Sequence, residues 1–183
     1  MTIENKESLI SKIAAGHKPE FLFFWGHRQN GTEVSKSCFS QWYPASFNVG
    51  DFSYQSAEHY MMAEKARVFG DEQSRLKIIE ATSPNEAKAL GRKVRGFSEE
   101  LWVTHRIDIV LAGNLAKFTQ NEELKQFLLS TKGKVLVEAS PVDPIWGIGL
   151  AAHDPSAATP SQWKGLNLLG FVLMKTRDIL LTN

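Results

Sequence analysis

An acidic residue in the first turn of an otherwise apolar helix limits what a chain can fold into, because a carboxylate is not buried without a partner or a proton. Such a residue is Glu58, in Tyr54-Gln55-Ser56-Ala57-Glu58-His59-Tyr60-Met61-Met62-Ala63-Glu64-Lys65-Ala66. Ser56 is a good N-cap, since its hydroxyl can accept from an unpaired N–H of the first turn, and Gly70 after Phe69 offers a left-handed stop. The spacing predicts a helix of about four turns. Steps of three and four from Glu58 reach Met62, Lys65, Ala66 and Phe69, so the carboxylate shares its stripe with apolar side chains and one amine. The positive end of the helix favours the anion and the apolar neighbours favour the neutral acid, which leaves the direction of its pKa open. The competing reading is an ordinary first-turn acid.

The 183 residues, 43% of them hydrophobic, suffice for one domain with a substantial core. Twenty-one Lys and Arg against 20 Asp and Glu leave a formal net charge of +1, so nothing in the balance demands a nucleic-acid backbone or an anionic membrane. Cys38 is the only cysteine, which excludes an intramolecular disulfide and a cysteine zinc knuckle and suits a reducing compartment. No apolar run approaches a membrane span, and Met1 to Gly16 lacks the apolar core of a secretory signal. A cytoplasmic protein with no membrane partner is expected.

In chain order, Thr2 is placed to cap a first helix carrying Ile3, Leu9, Ile10 and Ile13, stopped at Gly16. Residues 1–20 therefore read as a helical extension and 21–183 as the domain proper. Phe21 to Trp25 reads as a buried strand, and Gly26 to Ser40 as a polar loop made basic by His27, Arg28 and Lys36, either closing over an anion or merely solvated. Gln41 to Tyr54 reads as two short strands and a hairpin turn leading into Ser56. Asp71 to Ala81 reads as a helix with Leu76 and Ile79 inward, and Ser83-Pro84-Asn85-Glu86 opens another that ends before Gly91. Between Gly91 and Gly96 lie Arg92, Lys93 and Arg95, a set that suits either a phosphate or a solvated connection.

Ser98, with Glu99 and Glu100 behind it, opens the longest helix, running to about Thr119 with Val103, Ile107, Val110, Leu111, Leu115 and Phe118 on its expected core side. Trp102 lies close to Arg106 on that helix, where indole and guanidinium could take a planar base and an anion, or the indole could simply cover core. A short helix over Asn121 to Leu129 and a strand over Val135 to Glu138 follow. Prolines on both sides of Asp143, with Gly147 and Gly149 beyond, make Ala139 to Leu150 a shaped loop. There Trp146 could raise the Asp143 carboxyl by desolvation, supplying a protonated partner for Glu58, or the segment could be a packed turn. A final amphipathic helix runs through Leu169, Val172, Leu173, Ile179 and Leu180, with Gly170 permitting close packing.

His17, His27, His59, His105 and His153 make no paired metal spacing, and Glu58-His59 is not an H-E-x-x-H arrangement, so no metal is expected. There is no dinucleotide fingerprint, phosphate loop or serine elbow. Two carboxylates with tryptophans remain, a set that suits cleavage of a glycosidic bond: one carboxyl assists the leaving group, and the other stabilises positive sugar character or activates water.

The ordered motifs carry a family resemblance. Trp42-Tyr43-Pro44, Ser56-Ala57-Glu58-His59-Tyr60-Met61-Met62, Lys65-Ala66, Phe69-Gly70-Asp71, Ala89-Leu90-Gly91-Arg92, Ala116-Lys117-Phe118, Leu136-Val137-Glu138-Ala139-Ser140-Pro141, Asp143, Ile145-Trp146-Gly147-Ile148-Gly149-Leu150 and Trp163-Lys164-Gly165-Leu166-Asn167-Leu168-Leu169-Gly170 resemble the NADAR (NAD and ADP-ribose related), or YbiA-like, family. The resemblance spans roughly Phe23 to Leu180. It implies a compact α+β fold, helix-rich around a small β-sheet. It further implies N-glycosidase activity on a ribosylated, phosphate-bearing substrate: early riboflavin-pathway ribosylamino-pyrimidine phosphates, or ADP-ribosylated guanine, including guanine in nucleic acid. No cofactor is implied.

The family's functional positions fall on Glu58 and Asp143 as catalytic carboxylates and on Trp102 and Trp146 as substrate-binding indoles. Lys65 and Arg106 are added as phosphate-side candidates because each lies within helical reach of one of these. The resemblance leaves open which carboxylate is the acid. Two departures, Gln41-Trp42 where the family often has Asn-Phe and an insertion-like Gln29 to Lys36, bear on substrate identity more than on reaction type. The rival function is a module that binds ADP-ribose or a nucleotide without hydrolysing it.

Overall fold

A computed structural model gives the structure of the protein, with residues 3–29 and 31–182 described. Seven helices and four short strands are found among them: α1 (Lys6–Ala14), β1 (Glu20–Phe24), β2 (Phe47–Val49), β3 (Phe52–Tyr54), α2 (Ala57–Val68), α3 (Glu72–Ile79), α4 (Pro84–Gly91), α5 (Glu99–Gln120), α6 (Glu122–Ser130), β4 (Lys134–Glu138) and α7 (Leu168–Thr182). The fold is α+β and helix-rich. Its sheet is smaller than a single sheet, being two separate ribbons: β1 parallel to β4, from Glu20 opposite Lys134 to Phe24 opposite Glu138, and the β2–β3 hairpin.

Helix α2 is the centre of the packing, because it is buried on nearly every face. The side chain of Ser56 caps it, accepting from the His59 N–H at 3.4 Å. His59 is wholly buried, its Nε2–H donating to the Ala81 carbonyl at 3.1 Å, so Nδ1 accepts from the Ser56 hydroxyl at 2.7 Å. Burial lowers the pKa of this imidazole, in keeping with a neutral structural role. Helices α4 and α5 reach α2 at glycines: a Cβ on Gly91 would strike the Met62 side chain, and one on Gly113 would lie 2.5 Å from a ring carbon of Tyr60.

The buried face of α5 is not the apolar stripe expected. Val103 and Ile107 are exposed, and the inward face instead carries Trp102, Arg106, Ile109, Val110, Gly113, Asn114, Lys117 and Phe118. Polar side chains are tolerated there because they hold the segment before α2. Lys117, fully buried, donates to the carbonyls of Cys38 at 2.6 Å and Ser40 at 3.0 Å, and Asn114 donates to the Gln41 side chain at 3.0 Å.

Smaller corrections have similar causes. Trp25 lies beyond the end of β1 and is exposed, and in α3 Ile78 points inward while Leu76 faces solvent. Thr2 lies outside the described residues, and Asn5 caps α1 in a reciprocal pair with Ser8. That helix docks on the body through wholly buried Leu9 and a Lys6 Nζ donation to the Trp163 carbonyl at 2.7 Å. Arg95, one of the cations between Gly91 and Gly96, is committed to Asp71: its backbone N–H and guanidinium donate to the two carboxylate oxygens at 3.0 and 2.7 Å. Gly170 allows the close approach expected, since a Cβ there would meet the Leu136 carbonyl. No described helix is long and apolar enough to cross a membrane.

The Gly113→Ala protein is expected to be less stable by about 1–3 kcal/mol, the usual cost of overpacking, although alanine is the better helix former. Urea unfolding monitored by circular dichroism measures this, and unchanged or raised stability would show that α2 and α5 can separate freely.

Candidate active site

The site forms where the N-terminus of α2 meets the C-terminal end of β4. Glu58, in the first turn of α2, donates its backbone N–H to the Gln41 carbonyl at 2.9 Å. Its carboxyl is only 3% exposed, and Oε1 is buried without a hydrogen-bond partner. Burial pushes its pKa up to about 7, with Lys88, the Trp42 indole and Arg92 acting against the shift and Asp143 adding to it. Of the two influences that oppose each other at this position, desolvation wins.

A second carboxyl lies close by, on a half-buried residue. Glu138 closes β4, its Oε2 is buried without a partner, and burial, then Asp143, then Glu58 push its pKa up to about 8 against Lys88. Asp143 is differently held. Its Oδ1 accepts from the backbone N–H groups of Ile145 at 2.9 Å and Trp146 at 2.8 Å, so the carboxylate shapes its own loop. That loop is stitched to the start of α7: Leu166, Asn167, Leu168 and Leu169 donate in turn to the carbonyls of Pro144, Gly147, Ile145 and Trp146. The otherwise unpaired first N–H groups of α7 thereby place Asp143 and Trp146.

Aromatic and cationic groups border the carboxyls. Trp42, half-buried, lies with its ring centroid 5.7 Å from that of His27 and 5.6 Å from Lys88 Nζ. Lys65 Nζ is 4.0 Å from the Phe97 ring centroid and 5.9 Å from that of Trp102. Burial lowers the Lys65 pKa, and Glu99, Arg92 and Glu58 also act on it. Arg106 is buried with Nη1 3.7 Å from Glu99 Oε1, and its Nε has no partner. Glu58, Asp143 and Trp146 therefore gather around the end of β4, while Lys65, Trp102 and Arg106 form a cationic and aromatic flank reached through Glu99 and Arg92. A separate groove of about 370 Å³, lined by Ile3, Ile107, Phe171, Val172 and Ile179 among others, contains none of these groups.

The NADAR domain profile matches residues 23–181, nearly the whole length that carries this site. The chain belongs to the NADAR domain family. It is 46% identical over 164 residues to "N-glycosidase R617" of Acanthamoeba polyphaga mimivirus, spanning 87% of this chain and 95% of that protein. It is 30% identical over 158 residues to "N-glycosidase YbiA" of Escherichia coli strain K12, spanning 79% and 90%. The solved NMR structure of E. coli YbiA superposes with a TM-score of 0.72 at 27% identity, covering 91% of this chain and 88% of that one. Against a maize protein named "Riboflavin biosynthesis protein PYRR, chloroplastic" the identity is 36% over 155 residues, which span 78% of this chain and 23% of that one.

Within this NADAR domain, three neighbours of the carboxyl cluster were given no site role from sequence, Trp42, Lys88 and Glu138, whereas Arg92 belongs to the Gly91–Gly96 cation set read as a phosphate candidate. Trp42 and Glu138 had signals that could have found them. Glu138 ends an unbroken apolar strand, Val135-Leu136-Val137, where packing alone gives no reason for an acid. Trp42 follows the residue whose carbonyl receives Glu58, so the Gln41-Trp42 departure lies within the site.

The raised carboxyls set a pH dependence of stability. Each binds its proton more tightly folded than unfolded, so the stabilisation is complete below the ordinary value of 4.5 and is lost as pH rises through about 7 for Glu58 and about 8 for Glu138. The Glu58→Gln protein is accordingly expected to match the parent at pH 4 and to exceed it by about 3 kcal/mol at pH 9. Urea midpoints at the two pH values check this, and a variant less stable at pH 9 would contradict it.

Proposed function

We propose that the protein is an N-glycosidase that hydrolyses the bond between a ribosyl anomeric carbon and a base nitrogen in a small, phosphate-bearing substrate. The observation that carries this reading is Glu58, a carboxyl nearly closed to water with an unpartnered oxygen, bordered by indoles and cations. Hydrolysis at an anomeric carbon develops positive charge on the sugar and needs a deprotonated water. A carboxyl poised near neutrality serves both needs: ionised, it stabilises the oxocarbenium character and accepts the proton of the attacking water.

Asp143, with Oδ1 engaged by the Ile145 and Trp146 N–H groups, is the second catalytic carboxyl beside the reacting sugar and fixes the backbone that carries Trp146. Trp102 and Trp146 hold the base or sugar by stacking, with Trp42 beside Glu58 as a third wall. Lys65 and Arg106 take the phosphate, the unpartnered Arg106 Nε being a donor with capacity to spare. Carboxyl chemistry of this kind needs neither a redox cofactor nor a metal. A buried single cysteine and a small phosphorylated substrate fit a cytoplasmic setting.

Among substrates, ribosylamino-pyrimidine phosphates are favoured, because one relative is named for riboflavin biosynthesis and the formal net charge of +1 offers no extended track for a duplex. Removal of ADP-ribose from guanine is the second reading, using the same bond and the same carboxyl.

Mass spectrometry of products from a ribosylamino-pyrimidine phosphate and from ADP-ribosylated guanosine tests the proposal. Ribose 5-phosphate from the first is the expected product, with kcat lowered about 10²- to 10⁴-fold in the Glu58→Gln protein. ADP-ribose from the second would instead select the guanine reading, and binding of either without cleavage would leave a ligand-binding module. Lys65→Met is expected to raise KM roughly tenfold with kcat retained, the pattern of a phosphate contact made equally in ground and transition states.

A further inference from the structure

Glu138 is held more firmly than the end of a short strand requires. Its N–H donates to Asn167 Oδ1 at 2.9 Å, its carbonyl accepts from the Ile148 N–H at 2.9 Å, and the next N–H, of Ala139, donates to the Phe24 carbonyl at 2.9 Å. Asn167 is wholly buried and adopts a left-handed φ of 56°, and its Nδ2 donates to the Leu136 carbonyl at 3.0 Å, so one amide clamps both ends of the turn of strand before the site. Gly147 packs against the same point, where a Cβ would lie 2.9 Å from the Glu138 carbonyl.

Every backbone group around Glu138 is thus satisfied, while its side-chain Oε2 is buried with no donor. A structural carboxyl at such a place would be expected to take a donor from its own segment, yet the Asn167 amide that receives the Glu138 N–H donates to Leu136 instead. The charged groups acting on it are Asp143 from the loop, Glu58 from α2 and Lys88 from α4, two anions to one cation. Such surroundings favour the neutral acid, which can donate a proton where an anion cannot.

Resting on the N-glycosidase reading, we propose that Glu138 is the catalytic acid, protonating the departing base nitrogen while Glu58 takes the proton of the attacking water. The bond from the anomeric carbon to nitrogen breaks with its electron pair passing to nitrogen, which binds the proton from Glu138. The water oxygen bonds to the anomeric carbon and its proton passes to Glu58. Proton exchange with solvent then restores both carboxyls.

The test varies the leaving group. Parent, Glu138→Gln and Glu58→Gln proteins are assayed on the ribosylamino-pyrimidine phosphate and on 4-nitrophenyl ribofuranoside 5-phosphate, whose leaving group departs without a proton. The Glu138→Gln protein is expected to lose at least about 100-fold on the first substrate and to stay within about fivefold of the parent on the second, whereas Glu58→Gln loses on both. Parent-like turnover of the first substrate by Glu138→Gln, or equal losses on both, would overturn the assignment. Cleavage of neither substrate by the parent would overturn the N-glycosidase reading beneath it. A measurement on the parent alone guards against a misfolded variant: kcat for the first substrate should fall above pH about 8 while that for the nitrophenyl substrate does not. The same fall on both would also overturn it.

Discussion

Everything in the site depends on burying the first turn of α2 with a carboxyl inside it. That turn is enclosed because the chain just before it is fastened from the opposite side: α5 extends Lys117 to the Cys38 and Ser40 carbonyls and Asn114 to Gln41, and Gln41 accepts the N–H of Glu58. The polar groups buried along α5 are therefore structural supports for the wall facing Glu58. Gly91 and Gly113 let α4 and α5 come close enough to α2 to close the remaining sides. Water is excluded by packing, and desolvation then raises the carboxyl.

Such a site works against the stability of its own fold. Two carboxyls with unpartnered oxygens, Glu58 and Glu138, lie among apolar neighbours and beside Asp143. A sequence selected for stability alone would pair or replace them, since a buried ionisable group without a partner is among the costlier features a core can hold. Their retention has its compensation in rigid surroundings: the loop of Asp143 is stitched to α7 by four consecutive N–H groups, and Asn167 ties α7 to the end of β4. Two unpartnered carboxyl oxygens beside a third carboxylate are what a functional site can require and a core alone does not.

Helix starts were legible because capping is local chemistry. Ser56, Ser83 and Ser98 each cap the helix that their side chains foretold, and Gly70, with φ 69°, follows α2 as expected. The inward face of α5 was legible only in part: Val110 and Phe118 are buried as expected, but Asn114 and Lys117 owe their burial to partners 73 to 79 residues away in the chain, while exposed Val103 and Ile107 mimic a core stripe. In α3 Leu76 faces solvent and Ile78 is buried, with Ile79 packed against the core as expected, because a short helix takes its inward face from its neighbours. In the site, Glu58 stood out by its position in an apolar helix, and the family motifs pointed to Asp143 and the two tryptophans. Glu138 carried only a weak sequence signal, an acid closing an apolar strand, and the oxygen without a partner that sets it apart appears only in the folded arrangement.

Burial is what holds the Glu58 and Glu138 carboxyls near neutrality. Site-resolved ¹³C NMR of the glutamate carboxyls, titrated from pH 3 to 10 in the substrate-free protein, measures this directly. The prediction is that Glu58 and Glu138 titrate near 7 and 8, well above the ordinary value of 4.5. Titration of both in the ordinary range would contradict it, showing that water reaches the first turn of α2 and the end of β4.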